Sequence, residues 1–177
     1  MTSPDHDTPT ARIHEVSTRL DADLYLQIMG DEPLIDPRAL DLILPAELPA
    51  DPFYVAGVTN RMDHPADVID FSNQKVACNA RREILMISRS PIPYPKGTLD
   101  FEYEKVTGIQ LYSKQALKFY HDTPKSILEK AEENDMMRFI ENGHKVHAIV
   151  SPYKTVSVDT PKDLALVNEI LKEKQHG

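Results

Sequence analysis

The 177-residue sequence has one cysteine and no long apolar run, and each absence excludes a class of protein. Cys78 has no second cysteine to pair with, which excludes an intramolecular disulfide and favours the reducing cytoplasm. No apolar stretch approaches the roughly 18 residues that a membrane helix needs. The amino terminus, MTSPDHDTPTAR, lacks the basic and then apolar order of a secretory signal. We therefore expect a cytoplasmic protein that has no membrane partner.

Positive charge is also scarce, because 20 Lys and Arg stand against 28 Asp and Glu, a formal net charge of −8. Proteins that bind nucleic acid usually present a basic face, so no nucleic-acid partner is expected. An acidic protein can still bind a polyanion when a metal ion bridges the two, and this arrangement is expected here. Hydrophobic residues form 41 % of the chain, which is ordinary for one globular domain with a sizeable core.

Hydrophobic patterns predict an α/β domain with a mainly parallel or mixed sheet flanked by helices, since strands alternate with helices along the chain. The strand over 24–29 is predicted to be buried on both faces, as in parallel sheets. Asp36-Pro37 and Thr160-Pro161, with Asp163 completing a capping box, are helix start signals. The remaining predicted strands cover 53–59, 75–78, 84–88, 106–112 and 144–150, and further helices cover about 11–20, 114–120 and 127–141.

Two acidic turns stand next to predicted element ends: GDEP at 30–33 and VDTP at 158–161. In open α/β sheets, ligands bind beyond the carboxyl ends of strands. Magnesium prefers one or two carboxylates and completes its coordination with water and phosphate oxygens. Asp31 and Asp159 are therefore candidate Mg²⁺ ligands if the two turns meet. Taken alone, each turn has a simpler interpretation: GDEP as a polar turn, and Asp159 as part of a helix start.

The order of motifs resembles the CMP-Kdo synthetase family, 3-deoxy-manno-octulosonate cytidylyltransferase. The motifs are DHDTPTARIHEV, LQIMGDEPLI, KVACN, ISRSPIPYP, TGIQLYS, SILEKAEENDMMRFIENGHKV and VDTPKDL, and together they cover nearly the whole chain. The resemblance implies a fold of the nucleotide-diphospho-sugar transferase type. It also implies a homodimeric enzyme of lipopolysaccharide biosynthesis that converts CTP and an acidic keto sugar into the CMP-sugar and pyrophosphate.

Matching motif to motif, the resemblance assigns roles to individual residues. Asp31 and Asp159 fall on the catalytic magnesium ligands of the family. Arg89 falls on an arginine that binds the sugar, and a guanidinium suits a carboxylate, although a surface ion pair is the alternative. Lys75 matches a family lysine for which the sequence gives no role. The other implied positions are Gln110 and Asp135 on the sugar side, and His6, Thr10 and Arg12 on the nucleotide side.

The sequence departs from the family pattern at its start. The family opens with a strand, a loop of the form R-x-x-S-x-R-x-P-x-K that binds the CTP triphosphate, and a helix. Here the sequence starts at the later DH motif, so a βαβ-sized unit of at least ~30 residues is expected to be absent. The six glycines form no phosphate-binding cluster that could replace it. We therefore expect a single truncated domain over 1–177 with an uncovered sheet flank, either a fragment or a chain completed by another.

The sugar-binding set departs as well. Met29, Val106 and Met136 stand where the family has Gln, His and Gln, while Gln110 replaces Tyr and Asp135 replaces Glu. A site built to bond a hydroxyl cannot keep its preference when its partner becomes methionine. The pattern favours an acidic sugar other than Kdo, with drift after loss of activity, or a shifted local alignment of the motifs, as the alternatives. The rival functions are a non-catalytic domain of the same fold and, more weakly, a metal-dependent hydrolase for which no water-activating base is identifiable.

Overall fold

The computed structural model describes residues 1–98 and 100–176, with side chains as far as residue 173. Helices and strands alternate in the first part of the described chain, and later three consecutive strands are followed by three consecutive helices. In order they are α1 (Pro9–Arg19), β1 (Leu24–Ile28), α2 (Pro37–Ile43), β2 (Val55–Arg61), α3 (Pro65–Ile69), β3 (Lys75–Cys78), β4 (Ile84–Ser88), β5 (Glu104–Ser113), α4 (Lys114–Asp122), α5 (Ile127–Glu132), α6 (Met136–Glu141), β6 (His147–Val150) and α7 (Pro161–His176). None of the described helices is both long and apolar enough to cross a membrane.

All the described strands join one sheet, in which β5 is central. The predicted mixed sheet is confirmed, but mainly parallel pairing is wrong for the described strands, because β2–β6 is their one parallel pair. The strands β1 and β2 do run in the same direction, as a helical crossover requires. However, β5 lies between them and pairs antiparallel with both. The alternation of strands and helices in the sequence predicts that β1 and β2 run in the same direction. It does not predict that another strand, β5, lies between them.

β1 is an outer strand and is less buried than its apolar sequence indicates. Among the described strands it pairs with β5 alone, so one of its edges has no partner there. Its side chains alternate between more and less buried, and Ile28 is 47 % exposed. The prediction of a strand buried on both faces holds only in part, because Tyr25 and Gln27 are buried while Leu24 and Leu26 are only partly buried against the α2 side.

The helix predicted over 127–141 is divided into α5 and α6. Glu133 lies between them in the left-handed region, with φ of 51°. The side-chain oxygen of Asn134 accepts a hydrogen bond from the Met136 amide at 3.0 Å, and its amide group donates to Gln74 Oε1 at 2.7 Å. A contact from a residue 60 positions away in sequence thus accompanies the break. The prolines Pro37 and Pro161 open their helices as predicted.

Two apolar clusters lie on opposite faces of the sheet. On one face Tyr112 and Val55 pack with residues of α4 and α6, including Leu117 and Phe139. On the other face β2 and β5 pack against α2, in a cluster of Ala39, Ile43, Ala56, Val58, Ile109 and Leu111. Neighbouring residues of one strand thus enter different clusters, as the period of two along a strand requires. The predicted arrangement of a sheet flanked by helices is confirmed.

Candidate active site

The two acidic turns meet, although they are far apart in sequence. The GDEP turn follows β1, and the backbone carbonyl of Asp31 accepts a hydrogen bond from the Val158 amide at 2.8 Å. Asp159 is the next residue, just before α7. Both aspartates are exposed, and neither carboxylate takes part in a hydrogen bond or ion pair with the residues that the structure describes. Both carboxylates are therefore available to a ligand at this end of the sheet.

Glu32, the third residue of the GDEP turn, is buried beneath this junction and is 6 % exposed. Its Oε1 accepts hydrogen bonds from the Gly108 amide at 2.5 Å and from the Ser157 hydroxyl at 3.3 Å. The Gly108 carbonyl in turn accepts from the Met29 amide at 2.9 Å. Gly108 therefore binds Met29, just before the turn, through its carbonyl, and Glu32, within the turn, through its amide.

A bulge in β5 makes the Gly108 amide available. The register between β2 and β5 shifts between Gly57 and Thr59, so that residues 107–109 lie opposite Val58. Bulges free backbone groups from the ladder and often lie beside active sites. A Cβ atom added at Gly108 would lie 2.8 Å from Met29 Cβ and 3.0 Å from Glu32 Oε1. The absence of a side chain at 108 is thus a condition for this close approach.

The segment between β6 and Asp159 is held against β2 by Asn60, which is almost fully buried. The side-chain amide of Asn60 donates to the carbonyls of Ser151 and Tyr153, each at 3.0 Å. Its oxygen accepts from the Thr155 amide at 3.2 Å. Sequence reasoning missed Asn60, Gly108 and Ser157, since their partners lie in distant segments. Glu32 could have been singled out from the sequence, because it is part of the GDEP motif.

The arrangement at the two turns fits a magnesium ion whose coordination is completed by substrate. The described residues contain no group of three or more His, Cys, Asp and Glu that could hold a metal ion by itself. Magnesium characteristically uses one or two carboxylates and substrate phosphates rather than an all-protein site. Two adjoining turns with uncommitted carboxylates, Asp31 and Asp159, satisfy this requirement.

Arg89 follows β4 and is held by main-chain groups rather than by a full ion pair. Its Nε donates to the Glu132 carbonyl at 3.2 Å, and one terminal nitrogen donates to the Phe71 carbonyl at 3.1 Å. The other terminal nitrogen lies 3.8 Å from a carboxylate oxygen of Glu133, which is largely exposed. The Arg89 side chain is itself 33 % exposed. It is therefore oriented by the fold while part of it stays open to a carboxylate ligand.

Lys75, for which the sequence gave no role, is fully buried beside Arg89. Its ammonium group donates to the carbonyls of Asp70 at 2.8 Å and Asn73 at 2.6 Å, and to the carbonyl of Arg89. Burial lowers the pKa of Lys75, an effect that the charges of Asp70 and Glu132 oppose. Lys75 thus joins the 70–73 loop to the backbone of the predicted sugar-binding arginine.

Thr10, Gln110 and Asp135, predicted on the nucleotide and sugar sides, belong to one hydrogen-bonded chain. Asp135 Oδ2 accepts from the Thr10 amide at 3.3 Å, and the Thr10 hydroxyl contacts the Tyr112 hydroxyl at 3.2 Å. Tyr112 donates to Gln110 Oε1 at 2.5 Å, and Gln27 Nε2 donates to the same oxygen at 3.0 Å. Burial, and secondarily the Asp135 charge, raises the pKa of Tyr112, which keeps the phenol protonated as a donor. Because the Gln110 oxygen already has two donors, its amide group is the part left for a ligand.

His6 and Arg12 are the other two residues predicted on the nucleotide side, and their contacts hold the amino-terminal segment. His6 Nε2 contacts the Glu15 carboxylate, and this contact is the main reason that the pKa of Glu15 is lowered. One terminal nitrogen of Arg12 donates to Thr2 Oγ1 at 2.7 Å and to the Ser3 carbonyl at 2.8 Å. The nucleotide role of these two residues stays a prediction.

The replacements at 106 and 136 form an apolar surface beside Gln110. Gly57 is the cross-strand partner of Gln110, and cross-strand partners share a face of the sheet. A Cβ atom added at Gly57 would lie 3.2 Å from Met136 Sδ and 3.7 Å from Val106 Cγ2. Met136 is fully buried, and its side chain therefore occupies space next to a predicted sugar-binding group.

Comparison with known proteins was made on both sequence and structure. The Cytidylyltransferase family profile matches residues 1–147. The 3-deoxy-manno-octulosonate cytidylyltransferase of Solibacter usitatus (strain Ellin6076) is 34 % identical over 175 residues, covering 97 % of this chain and 69 % of that protein. The protein of the same name from Escherichia coli is 32 % identical over 173 residues, covering 98 % of this chain and 70 % of that protein. The chain thus spans about 70 % of the length of these two relatives.

A solved structure of CMP:2-keto-3-deoxy-manno-octonic acid synthetase complexed with CTP superposes with a TM-score of 0.87 at 33 % identity, covering 98 % of this chain and 72 % of that chain. The inositol-1-phosphate CTP transferase from T. maritima shares the fold, with a TM-score of 0.60 at 19 % identity over 93 % of this chain and 61 % of that chain. The predicted nucleotidyltransferase fold is therefore confirmed. On these matches, the chain belongs to the 3-deoxy-manno-octulosonate cytidylyltransferase family.

Proposed function

We propose that this chain is a magnesium-dependent cytidylyltransferase that uses CTP to activate an acidic keto sugar, either Kdo or a related acid. The observation that carries the proposal is the junction of the two acidic turns. A hydrogen bond between Val158 and Asp31 brings Asp159 beside Asp31, and both carboxylates are free of other partners among the described residues. In a member of this family, such a pair is suited to a metal ion that is bound together with a triphosphate.

In the proposed reaction, the anomeric hydroxyl of the sugar attacks the α-phosphorus of CTP. The hydroxyl gives up its proton to solvent as a new oxygen–phosphorus bond forms, the bond from the α-phosphorus to the bridging oxygen breaks, and pyrophosphate leaves. Such transfer depends on in-line positioning and on neutralising charge at the phosphates. Asp31 and Asp159 would hold the metal, and bound Mg²⁺ supplies the neutralising charge.

On the sugar side, Arg89 would bind the carboxylate of the acid. Its main-chain contacts orient the guanidinium in advance, which reduces the entropy lost when the acid binds. The Gln110 amide would donate to a sugar oxygen, since its own oxygen is already occupied. Asp135, which is partly exposed and accepts from the Thr10 amide, would accept from a sugar hydroxyl.

The apolar surface formed by Val106 and Met136 bears on which acid is used. A hydroxyl placed against these side chains would lose its partner, at about 1–3 kcal/mol for each unpaired group. We therefore propose an acid with fewer hydroxyls than Kdo, or with an added apolar group at this position. The proposal extends to a cytoplasmic homodimer that acts in lipopolysaccharide biosynthesis, and light scattering of the purified chain would test its oligomeric state.

The test is pyrophosphate release from CTP with Mg²⁺ and a panel of acidic keto sugars. It would use the 177-residue chain and the same chain preceded by the triphosphate-loop segment of a relative. Asp31→Asn and Asp159→Asn should each lower kcat by about 10²-fold or more, while the melting temperature stays unchanged because both side chains are exposed. Asp41→Asn, an exposed aspartate on α2, is the matched control and should have no effect. If no acid releases pyrophosphate with either protein, the chain is a non-catalytic domain and the proposal is wrong.

A further inference from the structure

Glu32 connects the two acidic turns through a single oxygen atom. Its Oε1 accepts from Gly108 in β5 and from the Ser157 hydroxyl, two residues before Asp159. Glu32 also directly follows Asp31 in the chain. Glu32 is therefore adjacent in sequence to one proposed metal ligand, and its carboxylate is hydrogen-bonded to a residue two positions before the other.

Burial of the Glu32 carboxylate is energetically unfavourable, so we expect it to have a functional reason. The side chain is 6 % exposed, and its second oxygen, Oε2, is buried without a hydrogen-bond partner among the described residues. A buried carboxylate with an unpaired oxygen destabilises a protein, and an apolar residue of similar volume is often the more stable choice. An apolar residue, however, could not accept from both Gly108 and Ser157. The geometry of the junction thus requires an acceptor at this position.

The support beneath Glu32 is rigid. The β5 bulge directs the Gly108 amide out of the ladder, and Met29 is bonded to the carbonyl of the same glycine. Through this arrangement the turn can neither rise from the sheet nor slide along it without breaking a hydrogen bond. A second hydrogen bond, from the Val158 amide to Asp31, lies beside the contact with Ser157.

We propose that Glu32 is a positioning residue that fixes the spacing between Asp31 and Asp159, and that it is not itself a metal ligand. This inference depends on the proposed function for its catalytic consequence, whereas its structural part can be tested without ligand. Groups that orient metal ligands affect metal affinity by about 10–100-fold when they are removed.

The first measurement is amide hydrogen exchange on the ligand-free chain. Glu32→Ala removes the acceptor and should speed exchange of the Val158 amide by about tenfold or more, because the segment before Asp159 opens more often. Glu32→Gln keeps an oxygen that can accept from Gly108 and Ser157, so exchange should stay within about threefold of the wild-type chain. Ser157→Ala removes one donor and should give an intermediate exchange rate. This variant replaces Glu32→Ala in the comparison if Glu32→Ala folds poorly. Glu47→Ala, an exposed glutamate, is the control for loss of a carboxylate.

The second measurement is titration with Mn²⁺, alone and in the presence of CTP, followed by electron paramagnetic resonance, together with the KM for Mg²⁺ in the pyrophosphate assay. Glu32→Ala should weaken Mn²⁺ binding by about 10–100-fold and raise the KM for Mg²⁺ more than it lowers kcat. Glu32→Gln should restore both.

Three outcomes separate the inference from the proposed function. Unchanged Val158 exchange in Glu32→Ala would overturn the positioning role. Loss of Mn²⁺ binding in Glu32→Gln with normal exchange would show that the charge binds the metal, which also overturns it. A wild-type chain that binds Mn²⁺ neither alone nor in the presence of CTP, but shows the exchange difference, would contradict the proposed function and support the structural role of Glu32.

Discussion

Replacing Lys75 with methionine should destabilise the protein and misplace Arg89. The ammonium group is fully buried and donates to three main-chain carbonyls, those of Asp70, Asn73 and Arg89. Hydrogen bonds from a charged group contribute about 1.5–3 kcal/mol each, so three would contribute roughly 4–9 kcal/mol. Burying an ammonium group opposes this by several kcal/mol. Burial lowers the pKa of Lys75, in the direction that this opposing effect requires.

The net loss expected for Lys75→Met is therefore about 2–4 kcal/mol, since the methionine removes both the hydrogen bonds and the buried charge. For a chain of this size, 1 kcal/mol corresponds to about 2–4 °C, which predicts a fall in Tm of roughly 4–16 °C. Lys130→Met, at an exposed position on α5, is the matched control and should leave Tm nearly unchanged.

The kinetic consequence separates a general loss of stability from a specific effect on the site. Without the ammonium group the Arg89 backbone loses its main tie to the 70–73 loop, so the KM for the acidic sugar should rise several-fold more than the KM for CTP. Calorimetry and steady-state kinetics below the lowered Tm would measure the two effects. A Tm equal to that of Lys130→Met would refute the stability reasoning, while equal changes in both KM values would refute the link to Arg89.

Three further predictions concern turnover, substrate choice and pH. The 177 residues alone should release pyrophosphate about 10²-fold or more slowly than the same residues preceded by a relative's triphosphate loop, because preorganised donors on the phosphates are a large catalytic contribution; equal rates would show that the loop is dispensable. In kcat/KM measurements across acidic sugars, Kdo should not be the best substrate, and Met29→Gln should improve it; if Kdo is preferred and Met29→Gln gives no gain, the replacements are tolerated drift. His14 stacks on His121 with ring centroids 4.2 Å apart, and burial, then the neighbouring His121 charge, lowers the pKa of His14 below its ordinary 6.5. Because the unfolded chain then binds the proton more tightly, the free energy of unfolding should fall as the pH drops below about 6.5, and His14→Gln should flatten this dependence in urea titrations; an unchanged slope would contradict it.

Local features of the sequence predicted the helix starts, because caps depend on residues only a few positions apart. Thr160 and Asp163 bond each other's backbone as the motif indicates, and Pro37 opens α2. The division of the helix predicted over 127–141 was not predictable in this way. It is accompanied by hydrogen bonds from Gln74 to the Glu132 carbonyl and from Asn134 to Gln74, which are set by the sheet. Insertion of β5 between β1 and β2 is likewise a non-local choice.

The candidate site shows the same division between local and distant information. The meeting of the turns that carry Asp31 and Asp159 could be predicted because each turn is recognisable and strand ends collect at one edge of a sheet. Glu32 and Asn60 act on partners as far away as Ser157, 125 positions from Glu32, and Ser151, 91 positions from Asn60. Their roles depend on which loops the fold brings together, and a single sequence does not contain that information. Lys75 belongs to the same group, since its burial was invisible beforehand.

The close approach at Gly108 limits how substrate preference can change in this fold. A methyl group at residue 108 would lie only 2.8 Å from Met29 Cβ, which is too close. The position of the Met29 backbone therefore cannot be adjusted by enlarging residue 108. Variation at residue 29 is therefore confined to the outer part of its own side chain. A mutant library that aims at a new sugar should diversify residues 29, 106 and 136 while keeping glycine at 108, because a substitution at 108 would disturb the proposed metal-binding turn as well as the proposed sugar pocket. On this proposal, substrate choice and metal binding can be changed separately through side chains, whereas both depend on the same backbone.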